Sequence, residues 1–186
     1  MNPRTLRRLS GYLFLVPYLV LFFGFVLLPM GFGLVLSFTD WELVVSGPPR
    51  FIGLANYTEA ITHPYFWKAV GATFRFVIMT VPLVTLGALA LALLLNALPP
   101  RLEPLFRAAW FLPTLISISV AAILWRWLFN NDYGLFNSIL SRWGWRLPWI
   151  TDQAWAMKSL VLMTLWWTVG GPMVILLAGL KQIPPQ

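Results

Sequence analysis

The sequence predicts an all-α polytopic membrane protein, with four transmembrane helices and short interfacial helices in the outer loops. Four nearly charge-free apolar runs carry that prediction: 9–39, 69–98 with Arg75 as its only charge, 108–125 and 159–180. A hydrocarbon core of ~30 Å is crossed by ~20 helical residues, and lipid offers the backbone no hydrogen-bond partner, so such spans must be helices. With their flanks the runs give spans at 9–39, 69–98, 108–129 and 157–180. Composition agrees, at 59% hydrophobic and 10% charged, where soluble domains carry about 45–50% and about 25%. None of the six acidic residues (Asp40, Glu42, Glu59, Glu103, Asp132, Asp152) lies inside a run. Whatever crosses here is not driven by a buried carboxylate.

The first span follows Arg4, Arg7 and Arg8, with no acid before Asp40. A secretory signal has an apolar region of only ~7–15 residues and a small-residue cleavage pattern after it; this run is about twice as long and lacks the pattern. It reads as a retained span entering from the cytoplasm. Four crossings return the chain to that side at Lys181, with Arg101 and Arg107 in a cytoplasmic loop, whereas Arg50, Lys68, Arg142, Arg146 and Lys158 fall outside. Six basic residues against five is a small bias, so orientation rests on the three N-terminal arginines.

The formal charge of +7 is spread without a basic stripe or stacking motif, so nucleic acid is not an expected partner. No cysteine and a single histidine exclude a disulfide framework and a His/Cys metal site. No cofactor is expected, and no serine or histidine pair suggests an intramembrane protease. His63 stands before Pro64 in a loop, where surface exposure is the plain reading.

Within the first outer loop, Asn56 followed by Glu59 has the form of a capping box opening a short helix, with Pro64 limiting it. Arg75 and Arg126 lie one or two turns inside their spans, within snorkelling reach of headgroups. Eight of the eleven tryptophans (Trp41, Trp67, Trp125, Trp127, Trp143, Trp145, Trp149, Trp155) fall on or near the outer face in this topology. They act either as interfacial anchors, with a helix over 136–143 lying on the membrane, or as an aromatic docking surface.

The spans also hold Pro17, Pro29, Pro82, Pro113 and Pro172 with several glycines. Each single one is explained by a kink or a close helix contact. Gly170, Gly171 and Pro172 differ, as three consecutive breakers beside Trp166 and Trp167 near the middle of the fourth span. Interrupted helices at the midplane are where transporters often place substrate, so Trp166, Trp167, Gly170 and Gly171 are the candidate solute-path residues. Stacking on a solute and ordinary helix packing are both open to the two tryptophans.

Three segments in order carry a family resemblance. Phe51-Ile-Gly-Leu-Ala-Asn-Tyr57, followed by Phe66-Trp67-Lys68-Ala69 and Thr73, resembles the opening of the carbohydrate-type permease subunits of binding-protein-dependent ABC importers. LFRAAWFLPTLISISVAAILWRWLFNNDYGLFNSIL, residues 105–140, is similar to that family's central region, and LLAGLKQIP, 176–184, to its approach to the coupling loop. Ala72 stands where that family usually has asparagine. After LLAGLKQIP the family carries a Glu-Ala-Ala motif, whose helix sits in a groove of the ATPase, whereas here Pro184 leads only into Pro185-Gln186. Residues 1–186 are therefore expected to be the N-terminal part of one importer transmembrane domain, with the coupling loop and later spans absent from it.

The resemblance implies a non-enzymatic transmembrane subunit of an ATP-driven importer of sugar, or of a related polyol or glycerol phosphate. It would form half of the solute pathway in a bacterial or archaeal cell membrane. The implied partners are a second homologous permease, two cytoplasmic ATPase subunits, an extracytoplasmic solute-binding protein and membrane lipid. A channel or facilitator that needs no ATPase is the alternative. Ion-coupled transporters keep ionisable groups within their spans, and here only Arg75 and Arg126 approach that position, so the energy is expected from a separate subunit.

Overall fold

The computed structural model describes residues 3–41 and 48–183, with side chains from residue 13 onward; Glu42 and the end at 184–186 lie outside the described residues. Among them every regular element is helical, and the only strand-like contact is a bridge between Thr39 and Phe51. The chain divides into two compact units, 1–69 and 70–186.

In the first unit, α1 (Pro3–Phe22) continues through a π-helical turn (Phe23–Leu27) into α2 (Leu28–Leu36). Pro17 sits inside α1, and Pro29 follows the π turn directly. Proline at 29 cannot donate to the carbonyl four residues back and its ring crowds that carbonyl; the wider turn just before it relieves both. The helical stretch Leu13–Leu36 buries none of its most apolar window within the structure. Its apolar surface is left for lipid or other helices.

The end of α2 is closed by the segment that follows. Ile52 N–H donates to the Phe38 carbonyl at 2.8 Å, and Asp40 and Arg50 exchange two bonds, N–H to carbonyl at 3.0 Å and N–H to Oδ1 at 2.9 Å. Helix α3 (Ala55–Thr62) then begins with Leu54 at its cap, where no side chain caps it. The capping box expected at Asn56 is thus corrected. Asn56 is the second residue inside α3, and its Nδ2 donates to the carbonyls of Ser37 and Thr39, both at 2.9 Å. Carbonyls at a helix end lack intrahelical donors and recruit the amide instead. Tyr57 completes the joint, its hydroxyl 2.6 Å from Ser37 Oγ and its ring 5.7 Å from that of Phe38.

Helix α4 (Pro64–Asn96) has 33 residues, a length of about 50 Å at 1.5 Å per residue. The second unit also holds α5 (Glu103–Phe111), α6 (Ile118–Leu128), α7 (Leu135–Leu140), α8 (Gln153–Thr168) and α9 (Gly170–Leu180), and the later half of α4 packs along the α8–α9 junction. The core joins Ala88, Ala92 and Leu95 of α4 to Val169, Met173 and Leu177, spaced one turn apart on each side. Alanines at 88 and 92 let the helices approach closely, and in lipid that packing, rather than exclusion of water, is what holds them.

Leu13–Leu36 and Pro64–Asn96 are long and apolar enough to cross a bilayer. The pairs 103–115 with 118–128, and 153–168 with 170–180, reach that length only if each bent pair is one span. The described residues therefore hold two to four candidate spans. The bends are 99° and 47°.

Candidate functional site

The two bends lie in one unit and are tied to each other. After α5 a 3₁₀ turn (Leu112–Leu115) leads to Ile116 and Ser117, whose backbone is extended, and α6 starts afresh. Extended backbone strands its polar groups, which membrane depth does not tolerate unless protein satisfies them. Ser117 Oγ accepts from the Val120 N–H at 3.4 Å as an N-cap. The Ile116 carbonyl accepts from the indole Nε1 of Trp167 at 2.9 Å. Trp167 thus spends its polar group on the broken backbone, which its ring alone did not reveal.

The second bend is at Val169, between α8 and α9. Pro172 removes the N–H that the Thr168 carbonyl would receive and crowds that carbonyl, so the helix kinks on its N-terminal side. Upstream, the hydroxyls of Thr164 and Thr168 donate to the carbonyls of Leu160 and Thr164 at 2.8 and 2.7 Å. Such back-bonding favours bending.

Gly170 explains how closely the two bends approach. A Cβ there would collide with the Trp110 carbonyl oxygen and stand 2.8 Å from Phe111 Cα. Its missing side chain is filled by the backbone at the end of α5. Gly171 has nothing within 4 Å of such an atom. Trp166 is half-buried, with its ring edge-on to Trp125 at 5.6 Å. Of the four residues expected on the path, the fold therefore joins Gly170 and Trp167 to residues 110–116 and Trp166 to α6, and leaves Gly171 unpacked.

Two groups escaped the sequence reading. Buried Glu103 at the start of α5 accepts from Lys181 Nζ at 2.6 Å, just past α9, and pairs with Arg107 at 3.3 Å. Since Gly170 at the start of α9 meets Phe111 at the end of α5, the helices run antiparallel, held at both ends. An open cleft of about 320 Å³ lies along them, lined by Pro104, Arg107, Ala108, Phe111 and Val174. A charged pair 78 residues apart has no periodic signature to betray it.

The second group is an aromatic cluster. Trp125, Phe129, Phe136 and Trp149 lie with ring centres 5.0–5.8 Å apart, and Trp155 stands against Trp149 at 5.6 Å. Buried Asn137 is its polar hub. Nδ2 donates to the carbonyls of Asn131 and Leu147 at 3.2 and 3.0 Å, and Oδ1 accepts from Leu147 N–H and Trp149 Nε1 at 3.1 and 3.0 Å. Within this cluster Trp125 is buried and Trp149 half-buried, whereas Trp41, Trp67, Trp127, Trp143 and Trp145 are exposed.

No family model matches the chain. Against individual proteins it is 37% identical over 189 aligned residues to the probable ABC transporter permease protein YesP of Bacillus subtilis, covering 98% of this chain. It is 32% identical to the sulfoquinovosyl glycerol transport system permease protein SmoG of Agrobacterium fabrum, covering 95% of this chain. The chain belongs to the ABC transporter permeases.

Its fold agrees. A chain of the bacterial alginate ABC transporter, solved in complex with a periplasmic protein carrying an alginate pentasaccharide, superposes with a TM-score of 0.76 over 96% of this permease chain, at 22% identity. The permease chain spans 60% of YesP, 58% of SmoG and 59% of the alginate transporter chain.

Proposed function

We propose that this permease chain contributes to the transmembrane subunit of an ATP-driven importer for a sugar or a related polyol or glycerol phosphate, supplying part of one half of the solute pathway. The similarity to YesP across 98% of the chain carries the reading. SmoG, which is named for sulfoquinovosyl glycerol transport, and the alginate transporter support a carbohydrate-like solute. The working assembly comprises a second permease, two cytoplasmic ATPase subunits and an extracytoplasmic solute-binding protein, in a bacterial or archaeal membrane. The four spans cross at 9–39, 69–98, 108–129 and 157–180, with the N-terminus cytoplasmic and the 130–152 loop outside, and residues 1–186 form the N-terminal part of the domain.

The route runs past the bend of α8–α9. Broken helices place unwound backbone and helix ends near a substrate, and here two breaks are tied together through Trp167 and Ile116. Trp166 and Gly171 line the route, while Gly170 and Trp167 hold its wall against residues 110–116.

Uptake by vesicles carrying the complete transporter tests both statements. Uptake should require internal ATP and the solute-binding protein; uptake indifferent to ATP would establish the facilitator instead. Gly171→Leu should lower uptake at least tenfold while the subunits still co-purify, and normal uptake by that variant would take Gly171 off the route. Thiol labelling tests the topology, since the chain has no cysteine: an impermeant reagent should reach a cysteine at 145 from outside but not one at 101.

A further inference from the structure

We infer that the segment 135–146 is a binding site for anionic phospholipid at the outer membrane surface. One face of α7 is turned inward, with Phe136 5.8 Å from the Trp125 ring and 5.4 Å from Phe129, and with Asn137 buried. The opposite face is an apolar row. Leu135, Ile139 and Trp143 recur every fourth residue, through α7 and the 3₁₀ turn Ser141–Trp143, and are 43%, 40% and 70% exposed. Gly144, at φ 77°, turns the chain so that Trp145 is also exposed, at 66%.

This exposure belongs to a fixed structure. Gly144 N–H donates to the Ser141 carbonyl at 3.0 Å and Trp145 N–H to the Leu140 carbonyl at 3.1 Å, and Asn137 bonds both the N–H and the carbonyl of Leu147. Arg142 and Arg146 flank the two tryptophans, both exposed, and among the described residues neither belongs to an ion pair.

The occupant follows from position and chemistry. Inference and position rest on the proposal that α8–α9 crosses the bilayer. The segment is then folded down between the end of α6 and the start of α8, and its outward row lies at the level where hydrocarbon gives way to headgroups. Leucine and isoleucine suit the acyl boundary, indoles suit the headgroup layer, and two unpaired guanidinium groups suit phosphate oxygens, to which arginine donates in bidentate fashion. A phospholipid with net negative charge supplies all three.

The test uses the full-length protein in vesicles of phosphatidylcholine with one quarter phosphatidylglycerol, spin-labelled singly through Ile139→Cys, Trp145→Cys or, as the crossing control, Ile175→Cys. Labels at 139 and 145 should collide more often with oxygen than with a water-soluble nickel chelate, with 175 deeper still. Arg142→Gln combined with Arg146→Gln should reduce the phosphatidylglycerol that co-purifies at least threefold. Water-like collision at 139 and 145 with 175 in lipid overturns the site and spares the crossing, whereas water-like collision at 175 overturns both. Shielding of 139 and 145 that depends on added solute-binding protein assigns the surface to a protein, and unchanged phosphatidylglycerol in the double variant shows that the two arginines hold no anionic lipid; either result ends the lipid reading.

Discussion

The two bends solve one problem in different ways. Between α5 and α6 the helix stops altogether: the chain turns 99°, two residues lie extended, and side chains from elsewhere must satisfy the backbone. Between α8 and α9 the helix persists through a 47° kink, and one proline with two threonines upstream accounts for it locally. A complete break therefore depends on tertiary partners and is fragile to remote substitutions, whereas a proline kink depends on its own turn.

The largest effect should come where the two bends touch. Gly170→Leu places side-chain atoms against the Trp110 and Phe111 backbone, which cannot step aside; overpacking of this kind costs about 3 kcal/mol, and the variant should fail to assemble when isolated in mild detergent. A Gly170→Leu protein that assembles with unchanged thermal stability would break the comparison at its centre. Next is Trp167→Phe, which keeps the ring and deletes the donor to Ile116. An unsatisfied carbonyl costs about 1–3 kcal/mol, so the melting temperature in detergent should fall by several degrees, and an unchanged value would mean that the indole bond does not hold the break.

Smaller still is Ser117→Ala. Loss of an N-cap costs about 0.5–2 kcal/mol, and the 3.4 Å length of this bond places the loss at the lower end. Equilibrium unfolding in detergent against denaturant reads it directly, and a loss as large as that of Trp167→Phe would shift the burden from the indole to the cap. Pro172→Ala should alter shape more than stability, by less than about 1 kcal/mol, because it restores a donor within one turn. Spin labels at Leu162 and Ile175, both exposed, should move apart as α8–α9 straightens; an unchanged distance would show that packing, not proline, sets the 47°.

The same contrast explains what the sequence could disclose. The kink beside Pro172 was legible because its cause is a residue type in the chain itself. The 99° break was not: Pro113 announced an ordinary kink, and the decisive groups, Ser117 as a cap and Trp167 fifty-one residues from Ile116, acquire their roles only in the fold. Long apolar runs marked the helices well, yet the 108–129 span hid a break. Asn56 shows the reverse error, since its spacing to Glu59 fitted a cap while the free carbonyls of Ser37 and Thr39 claimed its amide. Among the candidate path residues, position near the bend was readable. Which of two adjacent glycines packs and which stands open was not, because that depends on a helix 60 residues away.

Helix α5 is fastened to α9 near both ends, by Glu103 with Lys181 and by Gly170 against Phe111. In mechanical terms the pair is a strut with a pivot at one end, since Ile116–Ser117 and Val169 are the places where the flanking helices lose their continuity. A push delivered at Lys181 cannot be absorbed within so short a doubled element. It should instead pass about 15 Å along the strut, at 1.5 Å per residue, and emerge as rotation at the pivots, where Trp167 and Ile116 are joined.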